Sequence, residues 1–283
     1  MDIKFNKVSF IYNEKTPLEK EVLKDLNFEI KKNQISAIVG KSGSGKTTII
    51  EMITSLIIPA SGNIKIDNCY IEKNSKIVNI NELRFKVGLI FEFPEEQFFN
   101  STVQKEVEFG LKTFNYKIDE MSKRVSDVLK IVGLDDSYLS RNPHTLSSGE
   151  KRKVAIASIL VFNPQVIIFD EPTVGLDSNS KRNLMRLIKM LKNKYNKTII
   201  IVTQDVDFLH KIVDYVYILE DGKVILEGDK YTVFSEVETL LKHGITVPKL
   251  VEFSHKVLKE KNIKMGYRDE INDLIKDIYR YAK

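Results

Sequence analysis

Residues 35–47 read ISAIVGKSGSGKT: a short apolar run rich in β-branched side chains passes straight into glycines alternating with serines, and closes on a lysine and a threonine. Ile35 to Val39 has the length and composition of a strand buried on both faces, and the residues from Thr47 to Leu56 (TTIIEMITSL) carry a helical pattern. Strand, Gly-rich loop and helix in that order are the context a phosphate loop requires. Gly40, Gly43 and Gly45 let backbone N–H groups crowd around phosphate oxygens with no Cβ in the way. Ser42 and Ser44 complete the loop, and the following helix turns its positive end toward the anion. Lys46 is spaced to reach the β- and γ-phosphates of a nucleotide and Thr47 to set its hydroxyl on Mg²⁺, with Thr48 beside it in the first turn. The expected fold is therefore α/β, of the phosphate-loop nucleoside-triphosphate-binding kind, around a sheet that is largely parallel.

Outward from that loop, Val87 to Phe91, Val166 to Phe169 and Thr198 to Val202 read as further buried strands. Lys4 to Phe10 and Leu23 to Ile30 alternate more openly, as an antiparallel β subdomain with one wet face would. A mainly helical insert occupies about residues 101–142. Ser101 with Gln104 is spaced for a capping box that opens the helix bearing Val103, Val107 and Leu111. After Gly228 the pattern turns helical again. Ser235 with Glu238 predicts a capped helix stopping near Gly244, Pro248 opens a second, and Arg268 to Tyr281 makes a third. The expected division is a nucleotide-binding domain over 1–230 and a C-terminal helical extension over 231–283.

Composition narrows the function classes. Of 283 residues, 42% are apolar and 29% charged, and 44 basic against 39 acidic residues leave a formal charge of +5. That charge is too balanced and too dispersed to argue for nucleic acid. The single cysteine, Cys69, forms no internal disulfide and reads as a small filler residue in a reducing compartment. The longest nearly pure apolar run, Val154 to Phe162, is far short of the roughly 20 residues that cross a bilayer. Residues 1–10 are interrupted by charge and do not read as a signal peptide. The expectation is an intracellular protein that reaches a membrane only through a partner.

Downstream, residues 146–177 read LSSGEKRKVAIASILVFNPQVIIFDEPTVGLD. Asp170 ends the apolar run Val166 to Phe169, where a carboxylate can complete a metal site, and Glu171 follows where a base can orient water toward a γ-phosphate. The alternative is that both cap the turn at Pro172. Ser147 with Glu150 is also spaced for a capping box.

With LSSGE (146–150), DEPT (170–173) and GLD (175–177) downstream of GKSGSGKT, residues 1–230 resemble the nucleotide-binding domains of ABC transporters. The resemblance implies that Ser147, Ser148 and Gly149 contact the γ-phosphate of ATP held by a partner's phosphate loop, so that two domains enclose two ATP molecules. It implies Tyr12 as the aromatic that stacks on adenine; packing within its own strand is the other reading, since Phe10 is nearby. Narrower stretches, TPLEKEVLKDLNFEI (16–30) and VGLIFEFPEEQFF (87–99) with the helical tail, are similar to the second ATPase subunit of energy-coupling factor transporters, which take up vitamins and some metal ions. This implies a different ATPase as partner, a transmembrane coupling subunit, an interchangeable substrate-binding membrane subunit, and a peripheral position on the cytoplasmic face of the membrane. The residues after Phe91 match the loop that meets the membrane subunit, where Glu92, Glu95 and Glu96 would attract a basic helix or form a plain solvated loop.

The chain departs from the family pattern at three points. Glu92 stands where the family has a glutamine that approaches Mg²⁺ and the attacking water, and it adds negative charge beside a triphosphate. Gln204 stands where the family has a histidine; an amide can hydrogen-bond the γ-phosphate but cannot shuttle a proton. LSSGE replaces LSGGQ, with Ser148 adding bulk. The expectation is an ATPase whose own site, built on Lys46, Thr47, Asp170, Glu171, Glu92 and Gln204, binds ATP and Mg²⁺ and turns over slowly. The competing readings are a nearly non-catalytic regulatory ATP-binding subunit and a soluble ABC ATPase outside transport.

Overall fold

The computed structural model describes residues 1–73, 80–114, 120–261, 267–268 and 271–281. Along the chain, β1 (Ile3–Tyr12), β2 (Lys20–Ile30) and β3 (Ile35–Val39) precede α1 (Lys46–Ile53), followed by β4 (Ser61–Ile66), β5 (Cys69–Glu72), α2 (Ile80–Lys86) and β6 (Val87–Ile90). Helices α3 (Val103–Thr113), α4 (Met121–Ile131) and α5 (Ser148–Leu160) lead to β7 (Val166–Asp170), α6 (Ser178–Tyr195), β8 (Thr198–Val202) and α7 (Val206–His210). The chain then runs through β9 (Tyr215–Glu220), β10 (Lys223–Asp229), α8 (Lys230–Ser235), α9 (Val237–Lys242), α10 (Lys249–Lys261) and α11 (Ile271–Tyr281).

The strands form two sheets. The larger has the order β10-β9-β3-β8-β7-β6, parallel from β9 to β6 with β10 antiparallel at one edge; the smaller, β2-β1-β4-β5, is antiparallel throughout. Because side chains alternate across a strand, each central strand feeds two cores. Ile35, Ala37, Val39, Ile167, Phe169, Ile199 and Ile201 point into the larger core under α3, α4 and α5. Ile38, Val166, Ile168, Ile200 and Val202 point the other way, into the core closed by α1 and the antiparallel sheet. Burial on both faces is why these strands read as continuous apolar runs, each fully buried Ile or Val contributing ~1.5–3 kcal/mol. The Tyr217 hydroxyl donates to the Glu29 carbonyl and ties the two sheets together.

The strand expectations hold, with ends shifted by up to three residues. The caps need three corrections. Helix α3 is opened by Thr102, not Ser101: Thr102 has the extended backbone an N-cap needs and accepts from Lys105 N–H, while Gln104 turns to Glu108 instead of backward. Ser235 ends a helix instead of starting one, because Asp229 already caps α8 and the Ser235 hydroxyl donates back to the Tyr231 carbonyl. Helix α1 stops at Ile53, with Ser55 in the left-handed region, and does not run on to Leu56.

The helical tail begins inside the domain's own packing. Val233, Phe234, Val237, Leu240, Ile245, Val247 and Val251 all belong to the larger core. Beyond them, α11 buries Leu274 and exposes Ile271, Ile275, Ile278 and Tyr279. Among the described residues, no helix is long and apolar enough to cross a membrane.

Candidate nucleotide site

Strand β3 delivers the chain to the loop at Gly40, where the backbone lies so close to β9 that a Cβ would stand 2.3 Å from the Leu219 carbonyl oxygen and 2.6 Å from Ser44 Oγ. Only glycine fits there. Gly45, the residue before α1, has φ +107° and faces Leu23 at 2.7 Å from a built Cβ, so it too is fixed as glycine. The loop is braced from outside as well, with Gly222 N–H donating to the Ser44 carbonyl.

Lys46 lies buried at the mouth of α1 and curls over the loop, its ammonium donating to the carbonyls of Gly40 at 2.7 Å and Lys41 at 2.8 Å. Burial pushes its pKa down, and the negative charges of Glu171 and Asp170 oppose that shift. Thr47 is exposed at the helix N-terminus, while Thr48 is buried with its hydroxyl 3.1 Å from that of Tyr12. Ser44 Oγ is buried with no hydrogen-bond partner, an orphaned polar atom within the glycine-rich loop. The loop, its charge and this orphan fit a polyphosphate.

Asp170 ends β7, in register with Val202 of β8. Its carboxyl is pushed up to about 6, first by burial, then by the charges of Glu171 and Glu92, with Lys46 pulling the other way. A buried carboxyl pushed up by two negative neighbours is what a hard cation relieves, and Thr47 and Asp170 are of the oxygen-donor type that Mg²⁺ takes alongside phosphate. Among the described residues, no group of three His, Cys, Asp or Glu side chains is arranged to hold a metal unaided. Glu171 has φ +43°, a left-handed conformation that costs a non-glycine residue roughly 1–3 kcal/mol. Its N–H is held by the Val202 carbonyl at 2.7 Å, and one carboxylate oxygen accepts from the Thr203 hydroxyl at 2.8 Å. Gln204 is exposed one residue farther on, and Asp205 is occupied with capping α7 and pairing with Lys181 at 2.6 Å.

Tyr12 donates to Glu51 at 3.1 Å and sets its ring edge-on to Phe10, leaving the ring partly exposed near α1. The loop after β6 keeps part of the acidic surface read from sequence. Glu92 and Glu96 are exposed, Glu95 turns inward to Arg152 at 3.5 Å, and Phe91, Phe93, Phe99 and Phe109 are exposed as well. Glu106 shapes that surface by accepting from the N–H groups of Phe99 and Asn100.

Ser147 caps α5, and Glu150 returns the bond, so the capping box is complete. Ser147, Gly149 and Glu150 open onto a cavity of about 530 Å³ between α5 and α6, lined also by Leu176, Ser180 and Leu184, with no phosphate-loop residue on its wall. The structure thus gathers Lys46, Asp170 and Glu171 at one site and sets the LSSGE residues at another.

One residue of consequence escaped the sequence reading. Arg152, on α5, is buried and donates to the carbonyls of Pro172 at 3.2 Å, Val174 at 3.0 Å and Glu92. It joins the signature helix to the loop after Glu171 and to the loop after β6. An arginine on the apolar side of a helix otherwise reading VAIASIL was the available signal.

A phosphate loop after β3 on a parallel sheet, with an acidic pair at the end of β7, one strand beyond its neighbour β8, defines a nucleoside-triphosphate-binding domain. The family model described as ABC transporter matches residues 23–174. The energy-coupling factor transporter ATP-binding protein EcfA2 of Clostridium tetani is 41% identical over 267 residues, covering 94% of this chain and 92% of the relative. That of Enterococcus faecalis is 37% identical over 258 residues, covering 91% and 89%. Among solved structures, cbiO1 from Clostridium perfringens, part of the ABC transporter complex cbiONQ, superposes with a TM-score of 0.75 at 33% identity over 89% of this chain and 98% of its own. A dimeric ATP-binding cassette in a post-hydrolysis state with ADP and Pi gives 0.70 at 31% identity over 80% and 98%. The chain belongs to the ABC transporter family, as an ATP-binding subunit of the energy-coupling factor type, an ATPase whose hydrolysis is coupled to transport.

Proposed function

We propose that this chain is the second of two unlike ATPases in an energy-coupling factor transporter, that it binds ATP·Mg²⁺ on residues 40–47, and that its LSSGE loop completes the ATP site of the other ATPase. The separation of the two half-sites carries this reading: Ser147 and Gly149 open onto a wall that contains no residue of the chain's own phosphate loop. The phosphates lie on the loop's N–H groups, and Lys46 turns from the Gly40 and Lys41 carbonyls to the β- and γ-oxygens. Thr47, Asp170 and Glu92 would hold the metal, which would supply positive charge to offset that of the phosphates. Thr203 fixes one oxygen of Glu171, which leaves the other to take a proton from the attacking water. Gln204 donates its amide N–H to a γ-phosphate oxygen but carries no proton through, and Glu92 adds a negative charge, so this site turns over more slowly than its counterpart.

A membrane coupling subunit docks on the exposed aromatic surface of Phe91, Phe93, Phe99 and Phe109, where an apolar patch supports a helix-in-groove contact. The exposed face of α11 pairs the two ATPases. The chain acts on the cytoplasmic face of the membrane, and a separate membrane subunit selects the cargo, a vitamin or metal ion. Co-purification from native membrane with identification of the attached chains tests this: a second ATPase and two kinds of membrane subunit are expected, and recovery without any membrane subunit would contradict it.

A further inference from the structure

The Glu150 carboxylate collects three donors. One oxygen accepts from Ser147 N–H at 2.9 Å and from the Ser147 hydroxyl at 2.6 Å, and the other accepts from the Tyr138 hydroxyl at 2.6 Å. A serine hydroxyl has one proton to give. With that proton on Glu150, Ser147 Oγ has only lone pairs left, one of them facing Glu150 N–H at 3.4 Å. It has nothing to donate to a phosphate oxygen. The Ser147 hydroxyl, then Tyr138, then the Ser147 N–H hold the Glu150 pKa down at about 2, so the carboxylate stays ionised. It lines the same cavity wall as Ser147 and Gly149.

We infer that Glu150 is a positioning residue that loosens the hold of this signature on its triphosphate, by withdrawing the Ser147 proton and by setting a negative charge beside the γ-phosphate. The inference rests on the reading that Ser147 and Gly149 meet ATP carried by another chain. Glutamine at the same position keeps the helix cap, since its amide oxygen accepts from Ser147 N–H. Its N–H₂ takes the place of the other oxygen and donates to the Tyr138 hydroxyl, and its neutral amide oxygen holds the Ser147 hydroxyl proton more weakly than a carboxylate does, so that proton can turn to phosphate. Glu150 thus serves the fold of α5 and opposes the ligand with the same oxygens.

The test uses the purified complex carrying Lys46→Ala in this chain, so that turnover reports the other chain's ATP. Glu150→Gln is expected to lower KM for ATP about fivefold at low salt, with kcat within about twofold, and the gain is expected to shrink as ionic strength rises. An unchanged or raised KM at an unchanged melting temperature overturns the inference. Should the Gln variant melt early, Glu150→Ala decides: it drops the cap but frees the hydroxyl, so KM rises if the glutamate is only a cap and falls if it opposes the phosphate. Ser147→Ala added to Glu150→Gln separates the two levels. If it leaves the KM of the Gln variant unchanged, the shared-site reading fails and takes the inference with it; if it raises that KM while Glu150→Gln alone does not lower it, the Glu150 inference alone fails.

Discussion

Replacing Arg152 with alanine should damage this protein more than any surface charge change, and the structure says by how much. The guanidinium donates to three loop carbonyls, those of Glu92, Pro172 and Val174, and pairs with Glu95, which is only 18% exposed. Its removal leaves carbonyls short of a donor and strands a partly buried carboxylate, a combination that costs about 3–5 kcal/mol. For a chain of this size that corresponds to a fall in Tm of roughly 8–15 °C. Urea denaturation and a thermal melt of the nucleotide-free chain measure both. Adding Glu95→Gln to Arg152→Ala removes the stranded charge and should recover about 1–2 kcal/mol, a non-additivity that a double-mutant cycle reads directly. A loss below about 1 kcal/mol in the single variant, or strict additivity in the pair, would refute the role given to Arg152.

Two further outcomes follow from the site and the tail. Folding raises the Asp170 pKa from 3.8 to about 6, so between those values the folded state holds more protons and stability falls as pH rises through that window, then stays low above it. Asp170→Asn should therefore raise Tm by a few degrees at pH 7 without Mg²⁺ or nucleotide and leave it nearly unchanged near pH 4; equal shifts at both would contradict the account. Because Ile245, Val247 and Val251 belong to the core, truncating the tail after Gly244 would confound pairing with folding. Ile275→Glu or Ile278→Glu on the exposed face of α11 is the cleaner probe: association between the ATPases should weaken at least about tenfold by analytical ultracentrifugation, with the Tm of the lone chain shifted by no more than about a degree.

The core strands and the phosphate loop were legible because each depends on local pattern: a doubly buried strand has to be apolar throughout, and residues 40–47 need glycine for reasons confined to a few ångströms. Strands β4, β5, β9 and β10 went unread, since they are short or alternate weakly and take their definition from partners remote in sequence, as Lys65 does opposite Lys4. The capping box at Ser147 was readable, whereas the same spacing at Ser101 and Ser235 misled, because a cap is chosen by backbone conformation and the spacing recurs by chance. Within the site, Asp170 and Glu171 were marked by the strand before them. The inward turn of Glu95 was not, because it depends on Arg152, 57 residues farther along, and it leaves exposed aromatic residues beside Glu92 and Glu96 where three acidic residues had suggested a charged surface.

The central claim is that Lys46 and Ser147 of one chain serve different ATP molecules. The direct measurement is the ATP retained by the purified complex after rapid desalting, with Glu171→Gln and its counterpart in the other ATPase slowing hydrolysis. Lys46→Ala should remove one bound ATP and Ser147→Arg the other, and both substitutions in this chain together should remove both. If the two substitutions in this chain deplete the same ATP, so that the pair loses no more than either alone, the division of the site between two chains is wrong.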